Sequence, residues 1–246
     1  MDPKDRIIVP IDISDIDKAI KLVTTLKPYV GMFKFGLELI TTLLVQLVIT
    51  GDILLLQKVQ TLFKAVEGQL FWDGKWDDIS NTVGNTALAL SPLNPKMVNV
   101  HASAGIDSMQ AAVQNSSGSL VLGVTVLTSI KEGECISIFG DLPNKKVVEF
   151  ARTIFNVGAQ EIICSAKELY VLEKEHFANN LLKVVPGIRP QWAPIGDQKR
   201  VMTPSEAINV GADYLVIGRP ITELPIEVGG PIEAVRRIID EIGGIC

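Results

Sequence analysis

The sequence predicts an α/β protein built as a single-domain (β/α)8 TIM barrel spanning residues 1–246, on three observations. Eight short apolar runs rich in β-branched residues recur along the chain. Stretches with helix-compatible spacing separate them, the alternation expected of parallel strand-helix units. Eight such units in 246 residues match the usual size of a closed barrel, and no low-complexity linker divides the chain. A doubly wound open sheet is the structural competitor, differing mainly in strand count and closure.

In chain order, RIIVPID from Arg6 is the first strand and ends on Asp12, ahead of a helix from Asp15 to Leu26. GMFKFG from Gly31 is the second and carries Lys34. An apolar stretch from Leu37 to Leu56 follows, interrupted by Glu38, Gln46, Gly51 and Asp52, so a buried or interfacial helix is expected and not a membrane span. QLFWDGK from Gln69 is the third strand, and KMVNVHA from Lys96, ending near His101, is the fourth. LVLGVTVL from Leu120 is the fifth, with Thr128 and Ser129 after it. A helix over Asn144 to Val157 leads into EIICSA from Glu161, then LLKVVPGI from Leu181 with Arg189 behind it. A helix over Thr203 to Val210 precedes YLVIGRP from Tyr214, which puts Gly218 and Arg219 at the end of the eighth strand, and a helix near Ile232 to Ile242 follows.

Composition narrows the partners. A net charge of -5 lacks the clustered basic face that a nucleic acid needs. Cys135, Cys164 and Cys246 show neither close pairing nor metal-ligand spacing, and MDPKDRIIVP lacks the apolar core of a signal peptide, so a reduced cytoplasmic setting without a membrane is expected.

The stretch DGKWDDISNT carries the most chemistry. On a strand, Asp73 and Lys75 project from one face. Asp77 and Asp78 follow where the strand breaks, so at least one of these carboxylates is expected to fold back over the Lys75 ammonium. Acids crowded around an ammonium hold it protonated and disfavour a further anion beside them. Such a site suits a reaction that destroys a negative charge and then delivers a proton. Asp12, Lys34, His101, Thr128, Ser129, Arg189, Gly218 and Arg219 fall at strand ends as well, where a barrel builds its active site. VPGIRP with Arg189, GDQKR with Gln198, and VIGRP with Gly218 and Arg219 read as a phosphate site, since short-loop amides and a guanidinium fork match phosphate oxygens. The Pro- and Gly-rich segment near 189–203 reads as a phosphate-binding lid loop.

ID at Asp12, FKFG, DGKWDDISNTV, VNVHA, VTVLTS, VPGIRP, GDQKRVMTP and IGRPI, in that order over nearly the whole chain, resemble the orotidine 5'-phosphate decarboxylase family. The resemblance implies a cofactor-free, metal-free barrel acting on orotidine 5'-phosphate as a homodimer. By the same resemblance Lys75 is the proton donor and Asp73 its partner, and Asp78 and Thr82 are lent across the dimer interface. Asp12 and Lys34 hold the ribose side and complete the charge network, and Thr128 and Ser129 face the pyrimidine. Arg189, Gln198, Gly218 and Arg219 hold the phosphate, with Pro186 among the substrate-binding residues.

Three positions depart from the family pattern: Gly74 where a bulky aliphatic residue is common, Asp77 where histidine is common, and Ser80 where proline is common. Gly74 is expected to point away from the site with an altered packing there. Two other readings stand beside the decarboxylase: a metal-dependent sugar-phosphate lyase or synthase of the same superfamily, and a non-catalytic nucleotide-binding barrel.

Overall fold

Eight parallel strands close into a ring in chain order, with β1 against β8, in a computed structural model that describes residues 1–193, 202–223 and 228–244. The closed ring excludes the open doubly wound sheet. The strands are β1 (Ile7–Pro10), β2 (Met32–Gly36), β3 (Leu70–Trp76), β4 (Met97–His101), β5 (Leu120–Val124), β6 (Glu161–Ile163), β7 (Leu182–Pro186) and β8 (Tyr214–Val216). All eight coincide with the apolar runs of the sequence; seven lie within their run, and β3 extends one residue past its own, to Trp76.

The helices are α1 (Ile16–Leu26), α2 (Leu37–Thr50), α3 (Ile53–Ala65), α4 (Ser80–Leu90), α5 (Ile106–Asn115), α6 (Glu132–Phe139), α7 (Pro143–Asn156), α8 (Leu169–Leu172), α9 (Pro204–Asn209), α10 (Arg219–Thr222) and α11 (Pro231–Gly243). Capping fixes several of their starts. The Asp15 carboxylate accepts from the amides of Asp17 and Lys18 at the head of α1, and the Thr203 hydroxyl accepts from the Glu206 amide at the head of α9. The Glu206 carboxylate in turn accepts from the Thr203 amide at 2.9 Å.

Strand alternation divides the apolar residues into two cores. Ile8, Met32, Phe71, Met97, Leu122, Val184 and Tyr214 fill the barrel, while Val9, Phe33, Phe35, Val98, Val185 and Leu215 pack outward beneath the helices. At the carboxyl ends of β2, β3 and β4, the inward series continues with Lys34, Asp73 and Asn99, so the same parity that fills the barrel carries charge to its mouth.

The stretch from Leu37 to Leu56, expected as a buried or interfacial helix, is two helices with an exposed apolar face. It is α2 and the first turn of α3, broken at Gly51, whose φ of 57° is the left-handed conformation that ends a helix. Leu39 and Leu43 of α2 are buried, but Leu44, Val48 and Ile49 are 60%, 75% and 77% exposed. Among the described residues no helix is long and apolar enough to cross a membrane.

Candidate active site

Asp73 is the centre of the charge cluster. It is almost wholly buried at the mouth of the barrel, with one carboxylate oxygen 2.7 Å from Lys75 Nζ and the other 2.8 Å from Lys34 Nζ. Lys34 Nζ lies 3.7 Å from Asp12 Oδ1. Charges therefore alternate from Asp12 through Lys34 and Asp73 to Lys75. Burial opposes ionisation of Asp73, but the two ammonium groups overcome it and hold the carboxyl below its ordinary value.

Lys75 reaches this position by an irregular backbone. Trp72 pairs with Val98 and Trp76 with Val100, so four residues of β3 advance against two of β4. Within the bulge Lys75 adopts a φ of 47°, a left-handed conformation that costs a non-glycine residue about 1 kcal/mol or more. Asn99 steadies it. Its Oδ1 accepts from the Lys75 amide at 2.7 Å, and its Nδ2 donates to Asp73 Oδ1 at 2.6 Å. Asn99 is completely buried, so one amide fixes both the root of the lysine and the carboxylate that holds its tip. Sequence reading missed this residue. Its signal was a polar side chain at an inward position of the fourth strand, flanked by Val98 and Val100.

Gly74 has a structural reason. A Cβ there would lie 2.8 Å from Nε1 of Trp72 and 2.9 Å from Nε1 of Trp76, so the bulky aliphatic residue has given way to two indoles on the outer face. The expectation that Gly74 points away from the site with altered packing is met. Asp77 and Asp78 correct a different expectation, because neither folds back over Lys75. Asp77 accepts from the Ser103 hydroxyl at 3.3 Å, and Asp78 accepts from the Ile79 amide at 2.7 Å, both on the exposed side. The bulge ends at Trp76 and turns both carboxylates away from the barrel axis. His101 lies below its ordinary pKa, chiefly through burial, with Asp77 pulling the other way and Lys75 reinforcing the shift.

Two adjoining cavities of about 240 Å³ each open over this network. One is lined by Lys34, Asp73, Lys75, Thr128, Cys164 and Pro186, with Phe71, Val124 and Ile163 beneath. The other is lined by Asp12, Lys34, Pro186, Gly187, Arg189, Gly218 and Arg219. Lys34, Pro186 and Val216 belong to both, which makes one continuous trough with an apolar, lysine-tipped end and a two-arginine end. Arg189 is buried and donates to the Ile188 carbonyl at 2.9 Å, while its amide donates to the Met202 carbonyl. At Gly218 a Cβ would meet Pro10 Cγ at 3.0 Å, so the glycine lets the backbone run close to the floor of the arginine end.

The structure brings together Asp12, Lys34, Asp73, Lys75, Thr128, Pro186, Arg189, Gly218 and Arg219. Ser129 is exposed just beyond Thr128, and Asp78 and Thr82 are exposed on the turn into α4 and on α4 itself. Gln198 and most of the 189–203 lid segment lie outside the described residues. Among the described residues no group of three or more His, Cys, Asp or Glu side chains is arranged to hold a metal ion.

Residues 5–238 match the family model described as Orotidine 5'-phosphate decarboxylase / HUMPS family. The chain is 37% identical to a protein of Moorella thermoacetica and 35% identical to one of Heliobacterium modesticaldum, both named orotidine 5'-phosphate decarboxylase. Each match covers 98% of this chain, with 94% and 97% of the respective relative. Among solved structures, an orotidine 5'-phosphate decarboxylase from Lactobacillus acidophilus superposes with a TM-score of 0.75 at 27% identity, over 96% of this chain and 98% of the other.

Proposed function

The chain belongs to the orotidine 5'-phosphate decarboxylase / HUMPS family, and from that premise we propose that its trough converts orotidine 5'-phosphate to UMP and carbon dioxide, with Lys75 as the acid. One observation carries the assignment: an ammonium held 2.7 Å from a buried carboxylate, at the apolar end of a trough whose other end holds two arginines.

In the reaction the bond from C6 to the carboxylate breaks and its electron pair stays on C6, in the plane of the pyrimidine. The ring π system cannot spread that charge, so stabilisation has to be electrostatic. Lys75 Nζ lies at the ring end, where an ammonium lowers the energy of the carbanion and then gives it a proton, leaving UMP and a neutral amine. Asp73 and Lys34 fix that ammonium in place. Beside the substrate carboxylate, Asp73 adds a repulsion that fades as neutral carbon dioxide leaves, a contribution ranked below stabilisation of the carbanion. Arg189 and Arg219 with the Gly218 backbone take the phosphate, Asp12 and Lys34 the ribose, and Thr128 with Ser129 the base. Gln198 completes the phosphate grip from the 189–203 lid, and phosphate binding then contributes to fixing the reacting end.

The working unit in this reading is a cytoplasmic homodimer. Asp78 and Thr82 project outward beside Ile79, which is 69% exposed, and this arrangement supports their being lent to a second copy's trough. The reaction uses no cofactor, because the lysine supplies both the electrostatic stabilisation and the proton.

The test is the ultraviolet absorbance of orotidine 5'-phosphate on mixing with enzyme. Wild type bleaches it; Lys75→Ala abolishes turnover while still binding UMP. Appreciable residual turnover in that variant would remove the proton-donor role.

A further inference from the structure

The outer face of α2 is built to pack against another helix, and we infer that the helix is α2 of a second copy of this chain. The helix carries two aliphatic stripes. Leu39 and Leu43 face the barrel and are buried, whereas Leu37, Thr41, Leu44 and Val48 form a second line on the opposite side and are exposed. Their spacing is four, three and four residues, the repeat of a coiled-coil seam. Leucine occupies one seam position in each turn and a β-branched residue the other, the combination that favours a pair of helices over a larger bundle. Val45 and Ile49 flank the seam and are exposed as well.

Area and charge point to the same occupant. The exposed parts of Leu37, Leu44, Val45, Val48 and Ile49 amount to roughly 550 Å² of apolar surface, at the top of the range for the largest patch of an ordinary monomer and a large part of one side of a stable protein interface. Glu38 is the one charged residue of α2, so the face offers no cation to an anionic lipid surface, and at 14 residues the helix is too short to span a bilayer. A seam without charge meets its own copy without repulsion, and a two-fold axis across it places Leu44 and Val48 of both chains in contact.

This contact stands independently of the trough and of Asp78 and Thr82. The experiment is sedimentation velocity of the full chain, wild type against the double variant Leu44→Glu and Val48→Glu, with the ultraviolet assay and a thermal melt run on the same samples. Both substitutions sit on exposed positions of the single chain, so the variant is expected to stay folded, with a cooperative melt lowered only by loss of the contact. The variant is expected to sediment at half the mass of wild type at micromolar concentration, with turnover per chain retained. Equal masses for the two proteins overturn the inference. So does equal mass combined with wild-type, but not variant, flotation on phosphatidylcholine vesicles, which would make the face a lipid contact. Absence of turnover in both proteins would sink the decarboxylase reading and leave the mass comparison intact.

Discussion

A single amide carries much of the order at the reacting end. Asn99 holds the Lys75 backbone N–H and the Asp73 carboxylate at once, and removing it frees a lysine whose φ of 47° nothing else in the strand favours. Asn99→Ala is expected to lower kcat by about 100-fold through misplacement of the ammonium, with KM for orotidine 5'-phosphate within a few-fold of wild type because the phosphate end is untouched. Steady-state kinetics check this split, and a loss confined to KM would remove the positioning role. The sequence displayed Asp73 and Lys75 openly, since residues two apart on a strand share a face. It could not display Asn99 as their partner, because that pairing depends on the register of β3 against β4. Nor could it show that Asp77 and Asp78 turn outward, since the bulge that turns them is a property of how β3 pairs with its neighbour.

At the scale of elements, strand-helix packing follows from small residues set where helices cross. Gly123 of β5 is such a place: a Cβ there would lie 2.2 Å from Cδ1 of Ile154 on α7, and Ile154 is completely buried. Gly123→Ala is expected to destabilise the fold by about 1–3 kcal/mol by forcing α7 outward. Thermal melting measures the loss, and an unchanged melting temperature would show that Ile154 has room to move. All eight strands were legible as apolar runs, because parallel strands buried on both faces are written that way. The region after β2 was less legible. Its aliphatic residues recur so densely that no period separates an inward face from an outward one, and only the placement of Gly51 and the Asp52 cap divides it into α2 and α3.

Across the whole molecule, the mouth of the barrel holds the paired charges of Asp12, Lys34, Asp73 and Lys75, whereas the start of β6 carries, among the described residues, a lone carboxyl. Glu161 opens β6, is fully buried, and finds no hydrogen-bond partner among the described residues for either carboxylate oxygen. It shares the inward parity of Ile163 and acts electrostatically on Tyr214 within the barrel. Burial pushes its carboxyl up to about 8, from an ordinary 4.5. Between those values the unfolded chain releases a proton that the folded chain keeps, so stability falls as pH rises through this window and levels off above it. Unfolding free energies from urea titrations at pH 5 and pH 8.5 are expected to differ by about a few kcal/mol in wild type, and by much less in Glu161→Gln. An identical pH dependence in both proteins would place the origin elsewhere.

The ring that β1 and β8 complete has one further effect on how copies of this molecule meet. A closed sheet offers no edge, so every strand already spends its backbone donors and acceptors on two neighbours and none can template a foreign strand. Folded copies therefore meet through side chains, loops and helix ends, and crowding them is expected to give defined assemblies in place of strand-templated growth.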